Sequence, residues 1–167
     1  MEFKAAKEEF IQSWGILGSS WGINKTMAQI HALLLIAHQP LSTEDIMEEL
    51  KISRGNANMN IRALIDWNIV LKKHQSGERK EYFVAEKDLW ETSKQILMER
   101  KKRELEPITK MLEQIQEVEN DKSPEVKEFK KVTQSIGQFA IKSDKILKRI
   151  VKFDQSWFLG AFAKLLK

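Results

Sequence analysis

The chain has 167 residues, a formal net charge of +4, 42% hydrophobic and 31% charged side chains, and no cysteine. This is enough apolar material for one domain or two small lobes sharing a core, and it excludes disulfides and thiol chemistry. No stretch approaches the roughly 20 uninterrupted apolar residues that span a bilayer, and the charged opening MEFKAAKEEF lacks the apolar core of a secretory signal, so a cytoplasmic location is expected.

In chain order, Phe3, Phe10, Trp14, Leu17 and Trp21 form the apolar seam of an amphipathic helix that needs a partner. Gly15, Gly18 and Gly22 are expected to loosen the chain behind it. A second helix starts at the N-cap Asn24, runs through the apolar stretch Ile30–Ala37 and stops before Pro40. His31 and His38 are read on one face of it, as structural residues and not metal ligands. Residues 42–50 predict a short third helix, capped by Ser42 or Thr43, with Ile46, Met47 and Leu50 inward. Ser53 caps a fourth, over roughly 54–67.

The period then changes. IVLKKH (69–74) and KEYFVA (80–85) are rich in β-branched and aromatic residues, and QSGE between them carries a turn glycine, so a hairpin is expected. From Lys87 the helical period returns and continues in phase past Pro107 to Val118, which predicts one long, kinked helix. ENDKSP (119–124) is a loop. A further long helix follows from Val126 to Phe153, and FLGAFAKLL (158–166) reads as a last short one.

Charge is concentrated. Residues 51–80 hold Lys51, Arg54, Arg62, Lys72, Lys73, Arg79 and Lys80 against only Asp66 and Glu78, while the remainder is close to neutral. A local cationic strip of this kind suits a polyanion-binding surface. Three helices followed by a hairpin describe a mainly α, winged helix-turn-helix fold: a three-helix unit plus a two-stranded β-wing. Long N- and C-terminal helices are left over for dimerisation. The expected divisions are 1–22, an N-terminal dimerisation helix; 23–86, the DNA-binding domain; and 87–167, a helical dimerisation and effector region.

On the fourth helix Ala57, Ile61, Leu64 and Ile65 share the buried arc, and Gly55, Asn56, Met59, Arg62 and Ala63 face outward, with Arg54 and Asn58 flanking. This chemistry fits the major groove of double-stranded DNA: Asn pairs with adenine, Arg with guanine, and Met meets a thymine methyl. Ser53 and Arg54 at the helix start hold phosphate. Lys72, Lys73, Arg79 and Lys80 supply wing contacts, with His74 a surface residue. The three asparagines at 56, 58 and 60 are poor helix formers, which favours a reading surface over a merely solvated one.

WGINKTMAQIHALLLI, SRGNANMNIRALIDWNIV and HQSGERKEYFVAEKDLW together closely resemble the GbsR-type branch of the MarR-like winged-helix transcriptional regulators. The resemblance covers most of the chain and is strongest over 21–90. It implies a homodimeric regulator built on N- and C-terminal helices, and it supports Arg54, Asn56, Asn58, Met59 and Arg62 as the DNA-reading set. Its well-known members control osmoprotectant genes and respond to choline-like molecules; no effector pocket carries over residue by residue.

Trp14, Trp21, Trp90 and Trp157 are large aromatics that serve as core or as a cage for a quaternary ammonium. No metal site, cofactor or membrane contact is expected. Catalysis finds no foothold, since there is neither a glycine-rich phosphate loop nor a compact histidine–carboxylate group. The competing function is a winged-helix protein-interaction module without sequence-specific DNA binding.

Overall fold

The computed structural model describes residues 1–74, 77, 79–115 and 123–152. Two compact units divide it, Met1–Thr92 and Ser93–Lys167.

The first unit opens with α1 (Phe3–Ser20) and α2 (Lys25–Ile36). Asn24 starts α2 by accepting the Met27 N–H on its side chain at 3.2 Å. α2 is the centre of the core: Ile30, Leu33 and Leu34 are fully buried against Ile46, Ile61, Leu64 and Val70 from later elements. Its C-terminus is closed from a distance. The Lys87 ammonium donates to the carbonyls of Leu34 (2.9 Å), Ala37 (3.1 Å) and Leu35, three groups with no intrahelical donor.

The α1–α2 contact differs from expectation. The residues α1 buries are Ile11, Gly15 and Gly18. The two glycines lie inside the helix and act by size: a Cβ on Gly18 would sit 2.5 Å from the Ala28 Cβ, and one on Gly15 would sit 2.7 Å from the Gln29 Cγ. They let two backbones approach and do not loosen the chain. Phe3, Leu17 and Trp21 remain exposed on the described chain, Trp21 at 53%.

After α2 comes a strand of two residues, β1 (Leu41–Ser42), then α3 (Thr43–Leu50) and α4 (Arg54–Asp66). Ser42, not Thr43, caps α3. Its Oγ accepts the Asp45 N–H at 3.2 Å, and the Asp45 carboxylate accepts the Ser42 N–H at 2.7 Å, a reciprocal capping box. Ser42→Ala is expected to lower stability by about 1 kcal/mol, read as a fall in the urea midpoint with an unchanged m-value.

β2 (Val70–His74) and β3 (Glu81–Ala85) form the wing, with Gly77 in the connection at φ 87°, a conformation that glycine adopts without strain. The sheet has three strands in the order β1-β3-β2, all antiparallel. β1 was not expected; its length is too short to show a period. Register places Val70, Lys72 and His74 on one face with Ala85, Phe83 and Glu81. That face runs from buried (Val70, Phe83, Ala85) to exposed (Lys72, His74, Glu81) along the wing. His38 lies beyond the end of α2, so it does not share a helix face with His31.

α5 (Leu89–Arg100) starts on Asp88, whose carboxylate accepts the Trp90 and Glu91 N–H groups at 2.8 and 3.2 Å. The expected long helix is interrupted by a π-helical turn (Lys101–Leu105) before α6 (Glu106–Ile115). Pro107 explains the position of the turn. Its ring and missing N–H conflict with an α-type bond to the residue four back, and the wider turn immediately before it absorbs the conflict. In the second unit α6 packs on α7 (Pro124–Lys152) around Leu112 and Ala140. Lys101 binds Asp144 (2.9 Å) and Glu106 (3.3 Å), and Lys148 binds Asp144 (2.6 Å). This network holds the Asp144 carboxyl below its ordinary value, through Lys148 first and Lys101 second. The expected helix at 158–166 lies outside the described residues.

Candidate nucleic-acid interface

A bihelical unit works only if its turn is tight and its second helix keeps one edge free. Here three residues join α3 to α4. Lys51 adopts the left-handed conformation at φ 52°, the Ile52 N–H returns to the Met47 carbonyl at 3.2 Å, and Ser53 begins the next helix. Ser53 is exposed, and its Oγ accepts the Asn56 N–H at 3.3 Å.

α4 buries Ala57, Asn60, Ile61 and Leu64. Its other edge is open: Arg54, Gly55, Met59 and Arg62 are exposed, with Met59 at 60%, and nothing lies within 4 Å of a Cβ built on Gly55. An exposed methionine beside an open glycine leaves room for another surface to approach the backbone.

The asparagines divide by role. Asn60 is buried, and its amide donates to the Asn56 carbonyl (2.9 Å) and the Asn56 Oδ1 (2.7 Å). It belongs to the core, so the asparagine-rich pattern reflects the interior as well as the surface. The half-buried Asn56 keeps its amide N–H₂ for an outside acceptor while its oxygen is held. Asn58, also half-buried, accepts the Thr43 hydroxyl at 3.5 Å.

The cations are arranged around this edge. Lys72, Lys73, Arg79 and Lys80 are all exposed on the wing. Among the described residues Lys73, Arg79 and Lys80 have no ion-pair partner, whereas two other cations do. Arg54 binds Glu44 of α3 at 2.8 Å, and Lys72 binds Glu81 across the hairpin at 2.8 Å. Neither carboxylate was expected at the site. Glu44 precedes Arg54 by ten residues, and Glu81 stands just outside the cationic window, so charge counting along the chain passed over both. The register that sets Lys72 beside Phe83 also brings Glu81 within reach diagonally.

Both carboxyls are held below their ordinary value. For Glu44 the main cause is its own backbone N–H, followed by Arg54; for Glu81 it is the hydrogen bond from Lys72, with the charges of Lys72, His74 and Arg62 adding to it. Between α4 and the wing lies a cleft of about 280 Å³ lined by Asn58, Ile61, Arg62, Ile65, Lys72, Glu81 and Phe83. Helix edge and wing therefore share one groove.

Of the aromatic residues singled out in the sequence, Trp14 stands 5.5 Å from Phe10 and 6.3 Å from His31, centroid to centroid. Trp14 and Trp90 are half-buried and Trp21 is exposed; Trp157 lies outside the described residues. Among the described residues there is no group of three or more potential metal ligands, and no helix is long and apolar enough to cross a membrane.

No family model matches the chain. Two proteins of Bacillus subtilis (strain 168) are similar to parts of it. The HTH-type transcriptional repressor GbsR is 29% identical over 70 residues, which cover 42% of this chain and 38% of that protein. YvaV, named for an HTH-type transcriptional regulator, is 22% identical over 87 residues, covering 52% of this chain and 49% of YvaV. The matched stretch thus spans half or less of either relative. Among solved structures, that of a transcriptional regulator superposes with a TM-score of 0.68 at 15% identity, over 87% of this chain and 95% of the other. The chain shares that structure's fold, and its three helices followed by the β2–β3 wing are a winged helix-turn-helix.

Proposed function

We propose that this chain is a sequence-specific regulator of transcription, a repressor, that reads duplex DNA with the open edge of α4 and grips it with the wing. The observation that carries this reading is the edge itself. Arg54, Asn56, Met59 and Arg62 lie along solvent-facing helix beside a cationic hairpin, and the backbone at Gly55 is unobstructed. Asn58 and Arg62 border the cleft that leads to Lys72, and Ser53 opens the helix whose N-terminal N–H groups favour phosphate. Lys73, Arg79 and Lys80 carry the sequence-independent part of the affinity. The names of the two partly matching relatives support the same role. A protein-docking helix would show larger apolar groups than this edge does.

The proposal includes a homodimer acting in the cytoplasm, with residues 1–22 and 87–167 as the pairing regions and 23–86 as the reading domain. Phe129, Val132, Ile136 and Phe139 recur at helical spacing along α7 and stay exposed on the described chain, Phe139 at 71%. A stripe of this kind is covered by association, and two-fold pairing would set two reading helices about one DNA turn, roughly 34 Å, apart. It also includes a small choline-like effector, a quaternary ammonium that an aromatic face would hold by cation–π attraction, with Trp14, Trp21 and Trp90 the candidates among the described residues.

The test is a fluorescence-anisotropy titration with duplexes selected from a random pool and with the pool itself. Arg62→Ala is expected to relax base preference at one position, at a cost of about 1–3 kcal/mol. Lys73→Ala should instead weaken all duplexes alike and reduce the salt slope by about 1. Failure of the chain to prefer selected over random duplex at moderate salt would refute the reading.

A further inference from the structure

We infer that Glu44 and Glu81 are ionic latches on the DNA-binding surface: intramolecular carboxylates that compete with DNA phosphates for Arg54 and Lys72. The inference rests on the reading of α4 and the wing as a DNA-binding surface, and adds to it two acidic residues that regulate it.

The placement is the argument. Of the cations around the groove, one at the start of α4 and one on the wing are each held at 2.8 Å by a carboxylate from a different element. All four partners are substantially exposed, so the pairs are open to exchange. Surface pairs of this type are individually weak, which suits a contact that must break when a stronger partner arrives. Glu81 also lines the cleft with Arg62, and so is fixed inside the proposed footprint.

The consequence follows from ion exchange. A phosphate that takes an unpaired Lys releases its counterion to solvent, and this release makes binding tight and salt-sensitive. A phosphate that takes Lys72 must instead displace Glu81, which then requires a cation of its own. The counterion released from the DNA is partly recaptured, so the site contributes less affinity and less salt dependence. The same holds for Arg54 and Glu44. Sequence-independent binding is thereby held down while the contacts of Arg62 and Asn56 to base edges are untouched, and the ratio of the two depends more on the bases these residues read.

The experiment measures binding of a random-sequence 20-base-pair duplex across a salt series. Glu81→Gln is expected to bind about fivefold tighter than the parent at low salt and to steepen the log–log salt slope by up to about 0.9. Glu44→Gln should behave alike, and the double variant should combine both changes. The control that separates a latch from a bystander charge is Lys72→Gln, in whose background Glu81→Gln should have a much smaller effect on both quantities, only the general repulsion between a carboxylate and DNA being left. Persistence of the full Glu81 effect without Lys72 would overturn the latch, as would variants with the parent's affinity and slope on DNA that the parent binds. If neither parent nor variants bind the duplex even at low salt, the DNA-binding reading itself fails, and the latch with it.

Discussion

Gly18→Val is expected to lower stability by about 3 kcal/mol, at the upper end of what overpacking a tight contact costs. The first added atom already meets the Ala28 Cβ at 2.5 Å, with the Ala28 Cα behind it at 4.0 Å and the Ile23 Cβ at 3.8 Å. None of these is the far end of a flexible side chain, so relief requires α1 to lift from α2. Lifting α1 uncovers Ile11 and Ala28, which the pair buries together. A helical glycine replaced by a side chain ordinarily gains up to about 1 kcal/mol of propensity, so the expected loss is what remains after that gain. Gly55 provides the contrast: it too is helical, but nothing lies within 4 Å of its added Cβ, and Gly55→Ala should stabilise. Urea unfolding of the two variants checks both signs. A stable Gly18→Val would mean that α1 is not seated as described.

The elements legible in the sequence are those with a period or a cap. Ile30, Leu33 and Leu34 announce a buried helix, Asn24 and Ser53 mark starts, and the β-branched pair Ile69 and Val70 marks the wing. What escaped has no local signature. β1 is two residues long and exists because Phe83 and Tyr82 of β3 offer it a ladder. Gly15 and Gly18 read as breakers because their role depends on Ala28 and Gln29, residues on another helix. Asn60 has the same side chain as its half-buried neighbours Asn56 and Asn58, and composition alone does not show that it lies on the buried side of α4, bonded to Asn56 one turn back. The same limit governs the site. The open edge of α4 follows from helical geometry within one segment, whereas Glu44 and Glu81 arrive through the α3–α4 turn and the strand register. Local chemistry was visible; pairings across elements were not.

His31 gives the second large effect, a loss of stability of about 3 kcal/mol as pH falls from about 6.5 to about 4. The residue is 3% exposed, faces the Trp14 ring, and its Nε2 has no hydrogen-bond partner among the described residues. Burial opposes the imidazolium first, and the Lys87 ammonium that closes α2 opposes it second, so the pKa falls from 6.5 to about 4. The direction follows from linkage. Above the unfolded value the ring is neutral in both states and nothing is lost. Below it the unfolded chain takes up a proton that the native chain refuses, and each pH unit removes about 1.4 kcal/mol until the native ring also titrates. The carboxyls held low by their partners, Glu44, Asp45, Glu81 and Asp144, add their own loss only as pH nears their ordinary values of 4.5 and 3.8, at the acid end of this window. His31→Phe keeps a ring against Trp14 and removes the proton site, so its stability should change little between pH 6.5 and 5. Urea midpoints of parent and variant across that range decide it. Parallel curves would show that His31 is not the group that couples this fold to acid.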